Sequence, residues 1–156
     1  MTADLFTYGK ERIQMTGIIF SIIAGMAMSI QGVMNTRLGE HIGLMESNAF
    51  VQCTAAALSI AALAFYRTGS FSEIGGTPKF YLLGGAFGLI ITVTVMLAIG
   101  KLSPTVAISV ILISQLTVAA LIDAFGLMDS EKIPLHWNNY VGFFLMVGGM
   151  LLFKLK

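Results

Sequence analysis

Charged side chains are scarce in this chain: lysine, arginine, aspartate and glutamate make up 11% of 156 residues, against 56% hydrophobic residues, 17 glycines and a mean hydropathy of +0.86. So small a polar share cannot coat a globule of this size in water, which excludes a soluble single domain. Cysteine occurs once, as Cys53 inside an apolar run, which excludes a disulfide framework and leaves no thiolate pair for metal or redox chemistry. A formal net charge of +1 supplies neither a basic field for nucleic acid nor an acidic tail. The two histidines, His41 and His136, stand at loop or boundary positions with no companion at ligand spacing, so neither a metal nor another cofactor is expected. No nucleophile with a base, and no phosphate-binding loop, occurs at usable spacing, and the chain is not read as an enzyme.

What the chain has in abundance is uninterrupted apolar sequence. Five runs, residues 16–35, 47–66, 80–99, 105–125 and 135–153, are each close to the roughly 20 residues that a helix needs to cross a ~30 Å hydrocarbon slab. Asp123 alone among the charged residues lies inside a run. With no water in the slab to satisfy backbone groups, the runs must be helices, since a barrel would show short alternating segments. The expected fold class is an all-α membrane protein with five transmembrane helices per subunit, in one domain over residues 15–156. Residues 1–14 form a tail carrying Asp4, Lys10, Glu11 and Arg12. The run that follows is too long for a signal-peptide core, so span one is expected to stay uncleaved. Met15 heads that run as a second candidate initiator, which would make the tail an extension.

An odd number of spans puts the two ends on opposite sides of the bilayer. The N-terminal side then carries Lys10, Arg12, Arg67, Lys79 and Lys132, and the other side Arg37, Lys101, Lys154 and Lys156. Orientation follows an excess of Lys and Arg in short loops beside the span ends, and five against four is no excess. The balance predicts that copies insert both ways round and pair as an antiparallel homodimer of ten helices. Such a pair has the inverted pseudo-symmetry that many transporters obtain from internal repeats, with a site near the midplane. The alternative is an orientation set by the N-terminal tail or by a partner.

Small residues recur at steps of three or four: Gly17, Ser21, Gly25 and Ser29 in span one, Gly84, Gly88 and Thr92 in span three, and Gly142 and Gly149, with Leu145 between them, in span five. Gly25, Ser29, Gly84, Gly88 and Gly149 are the candidate helix-packing positions, as static contacts or as sliding surfaces. Ser103 is a candidate cap for a helix that Pro104 opens, and the short link over residues 100–103 makes spans three and four an antiparallel hairpin. Tyr66, Tyr81, Trp137 and Tyr140 stand at span ends, where interface anchors belong.

Polar residues inside the runs are more informative. Gln31 and Asn35, Asn48 and Gln52, and Gln115, Ala119 and Asp123 follow a four-residue step, so each set shares a helix face. Gln31, Asn35, Asn48, Gln52, Gln115 and Asp123 are the candidate substrate-pathway residues. Both amide pairs lie toward one side of the membrane, Gln115 near the middle and Asp123 toward the other side. Inversion would therefore bring Asp123 of the partner subunit level with Gln31 and Asn35. A competing role for the amides is glue between helices, at about 0.6 kcal/mol each on average. Asp123 is within a turn of its span end and can be wetted, whereas a deeper ionised carboxylate would cost several kcal/mol without a partner.

The stretches Ser29-Ile30-Gln31-Gly32-Val33-Met34-Asn35-Thr36-Arg37-Leu38-Gly39 and Ser114-Gln115-Leu116-Thr117-Val118-Ala119-Ala120-Leu121-Ile122-Asp123-Ala124-Phe125-Gly126-Leu127, with Leu83-Gly84-Gly85-Ala86-Phe87-Gly88 at the start of span three, resemble the YdcZ-type family of small bacterial inner-membrane proteins in the drug/metabolite transporter superfamily. The likeness covers nearly all of residues 15–156. It implies a five-span protein of the bacterial inner membrane, from a family that occurs as dual-topology single genes, gene pairs and inverted fusions. Gln31, Asn35, Gln115 and Asp123 match its polar positions, though no binding role comes with them. Ala124 stands where the resemblance implies a histidine, which argues against an Asp-His proton relay. Span one also lacks the acidic residue that the small multidrug-resistance exporters use for proton-coupled cation exchange.

The function expected is a small-molecule transporter working by alternating access in the antiparallel homodimer. Sites built from Gln and Asn offer donors and acceptors without net charge, which suits a neutral or zwitterionic metabolite. The expected partners are the bilayer, a second copy and that solute, with no nucleic acid. The alternatives are a dual-topology small-ion channel, lined by amides and hydroxyls such as Ser109, Thr92 and Thr94, and a non-transporting membrane subunit.

Overall fold

The computed structural model describes the backbone of residues 2–155 and the side chains of residues 13–155. The side chains of Lys10 and Arg12, and Lys156, which enter the charge count, lie outside these. Five α-helices and no strand occur among the described residues: α1 Thr2–Ile42, α2 Leu44–Leu63, α3 Gly84–Lys101, α4 Pro104–Phe125 and α5 Trp137–Lys154. Three segments combine the length and apolarity needed to cross a membrane, Ile13–Ile42, Lys79–Lys101 and Pro104–Phe125. In α2 the apolar character is diluted by Glu46, Asn48 and Gln52, and in α5 by Asn138, Asn139 and Lys154.

The chain divides into two units, Met1–Met96 and Leu97–Lys156. In the first, α1 runs unbroken from the N-terminal tail through the apolar run and on past Asn35, where the run ends. Residues 36–42 contain neither proline nor an interior run of β-branched residues, so nothing stops the helix there. An i,i+3 ion pair from Arg37 to Glu40, at 2.8 Å, decorates this exposed turn.

The helix stops at a single residue. Gly43 takes φ +103° and ψ 150°, a region open to glycine and closed to side chains with a Cβ. Its N–H donates to the Gly39 carbonyl, and its own carbonyl accepts from the Ser47 N–H, both at 3.0 Å. Helical hydrogen bonding thus continues on either side of a sharp reversal. α2 returns along α1, and the two helices pack together. Beyond α2, two 3-10 segments, Phe71–Gly76 and Lys79–Leu83, lead into α3, whose regular α-helix begins at Gly84, a few residues after the start of the apolar run.

In the second unit Ser103 caps α4, its Oγ accepting from the Val106 N–H at 3.4 Å, with Pro104 at the first turn. Gly126, at φ +63°, ends the helix by donating back to the Ile122 and Asp123 carbonyls. The Asp123 carbonyl also accepts from the Ile133 N–H at 2.9 Å, closing the link to α5. That helix opens on a reciprocal cap between His136 and Asn139 and packs on α4.

Several hydroxyls within the helices are satisfied locally. Ser21, Ser29, Thr92, Thr94, Ser109 and Ser114 each donate to the carbonyl four residues back, at 2.7 to 3.0 Å. In hydrocarbon this removes the cost of an unpaired O–H.

Candidate functional site

The buried residues are the reverse of a soluble core. Among the described residues the buried hydrophobic ones are Met96, Ile99 and Ala107, whereas Asn35, Thr36, Ser47 and Asn48 form a buried polar set. Large apolar side chains such as Phe20, Phe50, Ile60 and Phe144 are exposed. Lipid is the solvent that suits such a surface, and polar groups then belong inside.

All four buried polar residues lie at the closed end of the α1–α2 hairpin, and the Gly43 reversal puts them there. Ser47 is fully buried and its Oγ donates to the Asn35 carbonyl at 3.1 Å, tying the two helices across the turn. Thr36 Oγ1 donates to the Gly32 carbonyl at 2.7 Å. Asn48 is 4% exposed, and its Oδ1 is sealed with no donor in hydrogen-bond reach among the described residues. Leaving a buried carbonyl oxygen unpaired costs ~1–3 kcal/mol.

A groove runs away from this cluster along the hairpin, between Ala27 to Asn35 of α1 and Phe50 to Leu58 of α2. Gln31 and Asn35 are polar on one wall and Thr54 on the other. The Thr54 hydroxyl is occupied by the Phe50 carbonyl at 2.8 Å, so the Gln31 carboxamide is the more open polar group. Gln52 turns from the groove toward α3, where a Cβ placed on Gly88 would stand 3.6 Å from its Nε2. Nearer the turn, the Met96 methyl of α3 seats against Gly39, close enough that a Cβ there would lie 2.7 Å from it.

The hairpin thus gathers Gln31, Asn35, Asn48 and Gln52, four of the six predicted pathway residues. Gln115 and Asp123 belong to α4 in the other unit, and both are exposed. Asp123 pairs with no cation among the described residues. Of the predicted packing positions, Gly88 meets Gln52, while among the described residues nothing beyond the adjoining residues and backbone of its own helix lies within 4 Å of a Cβ built at Gly25, Gly84 or Gly149. Ser29 is exposed and donates to the Gly25 carbonyl at 3.0 Å. Sequence reasoning missed Thr36, Ser47, Gly39 and Gly43. The pair Gly39 and Gly43, four apart in a polar gap, is the one available signal, and it reads as loop composition.

Over residues 16–152 the chain matches the family described as "Putative inner membrane exporter, YdcZ". No curated protein and no solved structure matches it.

Proposed function

Since the chain belongs to the YdcZ family and is an inner-membrane protein, we propose that it carries a small neutral or zwitterionic metabolite across that membrane. It works by alternating access, as an antiparallel homodimer of five-span subunits. The observation that carries this reading is the buried amide and hydroxyl cluster of the α1–α2 hairpin, beside a groove that Asn35 and Gln31 line. Apolar helices retain uncharged donors and acceptors of this kind where a polar solute must shed its water. α2 and α5, though less apolar, are 20 and 18 residues long, close to the roughly 20 that a crossing needs. The near-equal division of Lys and Arg supports insertion in both senses. An enzyme is not proposed, since the family's description is that of an exporter.

The hydroxyls named for a fixed pore, Ser109, Thr92 and Thr94, already donate to their own helices, so they have no O–H left to offer an anion, and the carrier is the reading proposed. Flux into liposomes holding purified protein tests this. Saturable, exchangeable uptake is expected, and currents at channel rates would rule the carrier out.

In the same assay Gln31→Ala and Gln115→Ala should each lower uptake by at least tenfold, on the order of one lost hydrogen bond to the moving solute, while dimer assembly is unchanged. Unchanged flux with a weakened dimer would assign these amides to helix packing.

A further inference from the structure

Asn48 stands out among the polar residues because its surroundings fail it. Ser47 and Thr36 find acceptors within 3.1 Å, and Asn35 lends its carbonyl to Ser47. Asn48 Oδ1 is shut away from solvent with no donor in reach among the described residues, although the residue sits at the start of the second turn of α2, one position from the Ser47 tie. Sequence alone does not require this: on an exposed helix face the carboxamide would be hydrated. Nor is it idle packing, because an apolar side chain of similar size would fill the space without the penalty of an unpaired acceptor. A buried acceptor left unpaired favours any conformation, or any bound molecule, that brings it an N–H or O–H.

We propose that Asn48 Oδ1 is the recognition point for a hydrogen-bond donor on the transported solute, and that the conformation seen here is the shut form of this subsite. The inference rests on the transport reading and narrows its substrate class to neutral or zwitterionic molecules that carry an N–H or O–H. Solutes of equal charge with every donor methylated are rejected. Entry requires the hairpin to part near its turn, where the Met96 methyl covers Gly39. A donor-bearing solute then favours the parted form, because it pairs the acceptor there and a methylated analogue does not. The resulting preference is on the order of 5- to 150-fold over a methylated analogue.

The test uses purified full-length protein in detergent and in liposomes, with glycine against trimethylglycine and urea against tetramethylurea as paired probes. Without any probe, Asn48→Leu should raise the midpoint of thermal unfolding, because it removes the unpaired oxygen and keeps the branching and the number of side-chain heavy atoms. A lowered midpoint would mean that Asn48 is partnered, and would overturn the proposal. In the unaltered protein a donor-bearing member of at least one pair should protect against unfolding at a concentration at least fivefold below that of its methylated analogue, and Asn48→Leu should erase the difference. Equal protection and equal flux for both members of each pair, or protection by none of the four, overturns the donor subsite. Selective protection without flux leaves the subsite standing and defeats the transport reading.

Discussion

Gly43→Ala will lose ~1–3 kcal/mol of stability and most transport activity, a larger loss than any other single-methyl change in the hairpin. The reversal between α1 and α2 consists of this one residue, at φ +103°. A Cβ there would strike the Glu46 carboxylate, and the backbone geometry is closed to alanine even if Glu46 swings aside. Alanine's easiest escape is a right-handed helical conformation, which would fuse α1 and α2 into one rod and separate Asn35 from Ser47. The buried cluster would then cease to exist. Gly39→Ala is the matched control. It adds the same methyl to a helical residue, where only the flexible end of Met96 has to yield, so its cost should stay below ~1 kcal/mol. Thermal unfolding of the two purified variants side by side checks this; equal losses would mean that the turn geometry is not what holds the hairpin.

The second large effect concerns orientation. Lys and Arg divide five against four between the two sides, so two added lysines in one loop should fix nearly all copies in one sense. If the working unit is an inverted pair, each fixed form alone should lose at least nine-tenths of its transport. Producing two forms fixed in opposite senses together should restore it. The recovery separates loss of the mate from damage by the substitutions, since neither fixed form is repaired chemically by the other. Full activity of one fixed form alone would defeat the inverted pair.

How much of this was written plainly in the chain varies with the physics involved. The helical class and the positions of the apolar segments follow from hydropathy, because hydrocarbon leaves the backbone no other choice. The α4 cap was equally open to reading, since Ser103 before Pro104 satisfies a local rule that needs no tertiary partner. The α1–α2 turn was not. Residues 36–46 carry Arg37, Glu40, His41 and Glu46, a composition that suggests a loop, yet these are acceptable helix residues and α1 continues through them to Ile42.

The amides divide in the same way. Asn35 and Asn48 were picked out by spacing and prove to be buried, but Gln31, Gln115 and Asp123 share the pattern and are exposed. A four-residue step identifies a face; it does not say what that face meets. Ser47 escaped notice because its bond to the Asn35 carbonyl exists only after the reversal at Gly43 has set the two helices side by side.

Accessibility labelling of the chain ends is the most direct test of the antiparallel pair. Cys53 is the one cysteine; replacing it with alanine and placing a single cysteine at the C-terminus gives a reporter that membrane-impermeant maleimide reaches from one side only. In sealed inner-membrane vesicles of uniform orientation, close to half of the copies should react before permeabilisation and the remainder after it. Finding every C-terminus in one compartment would contradict the account.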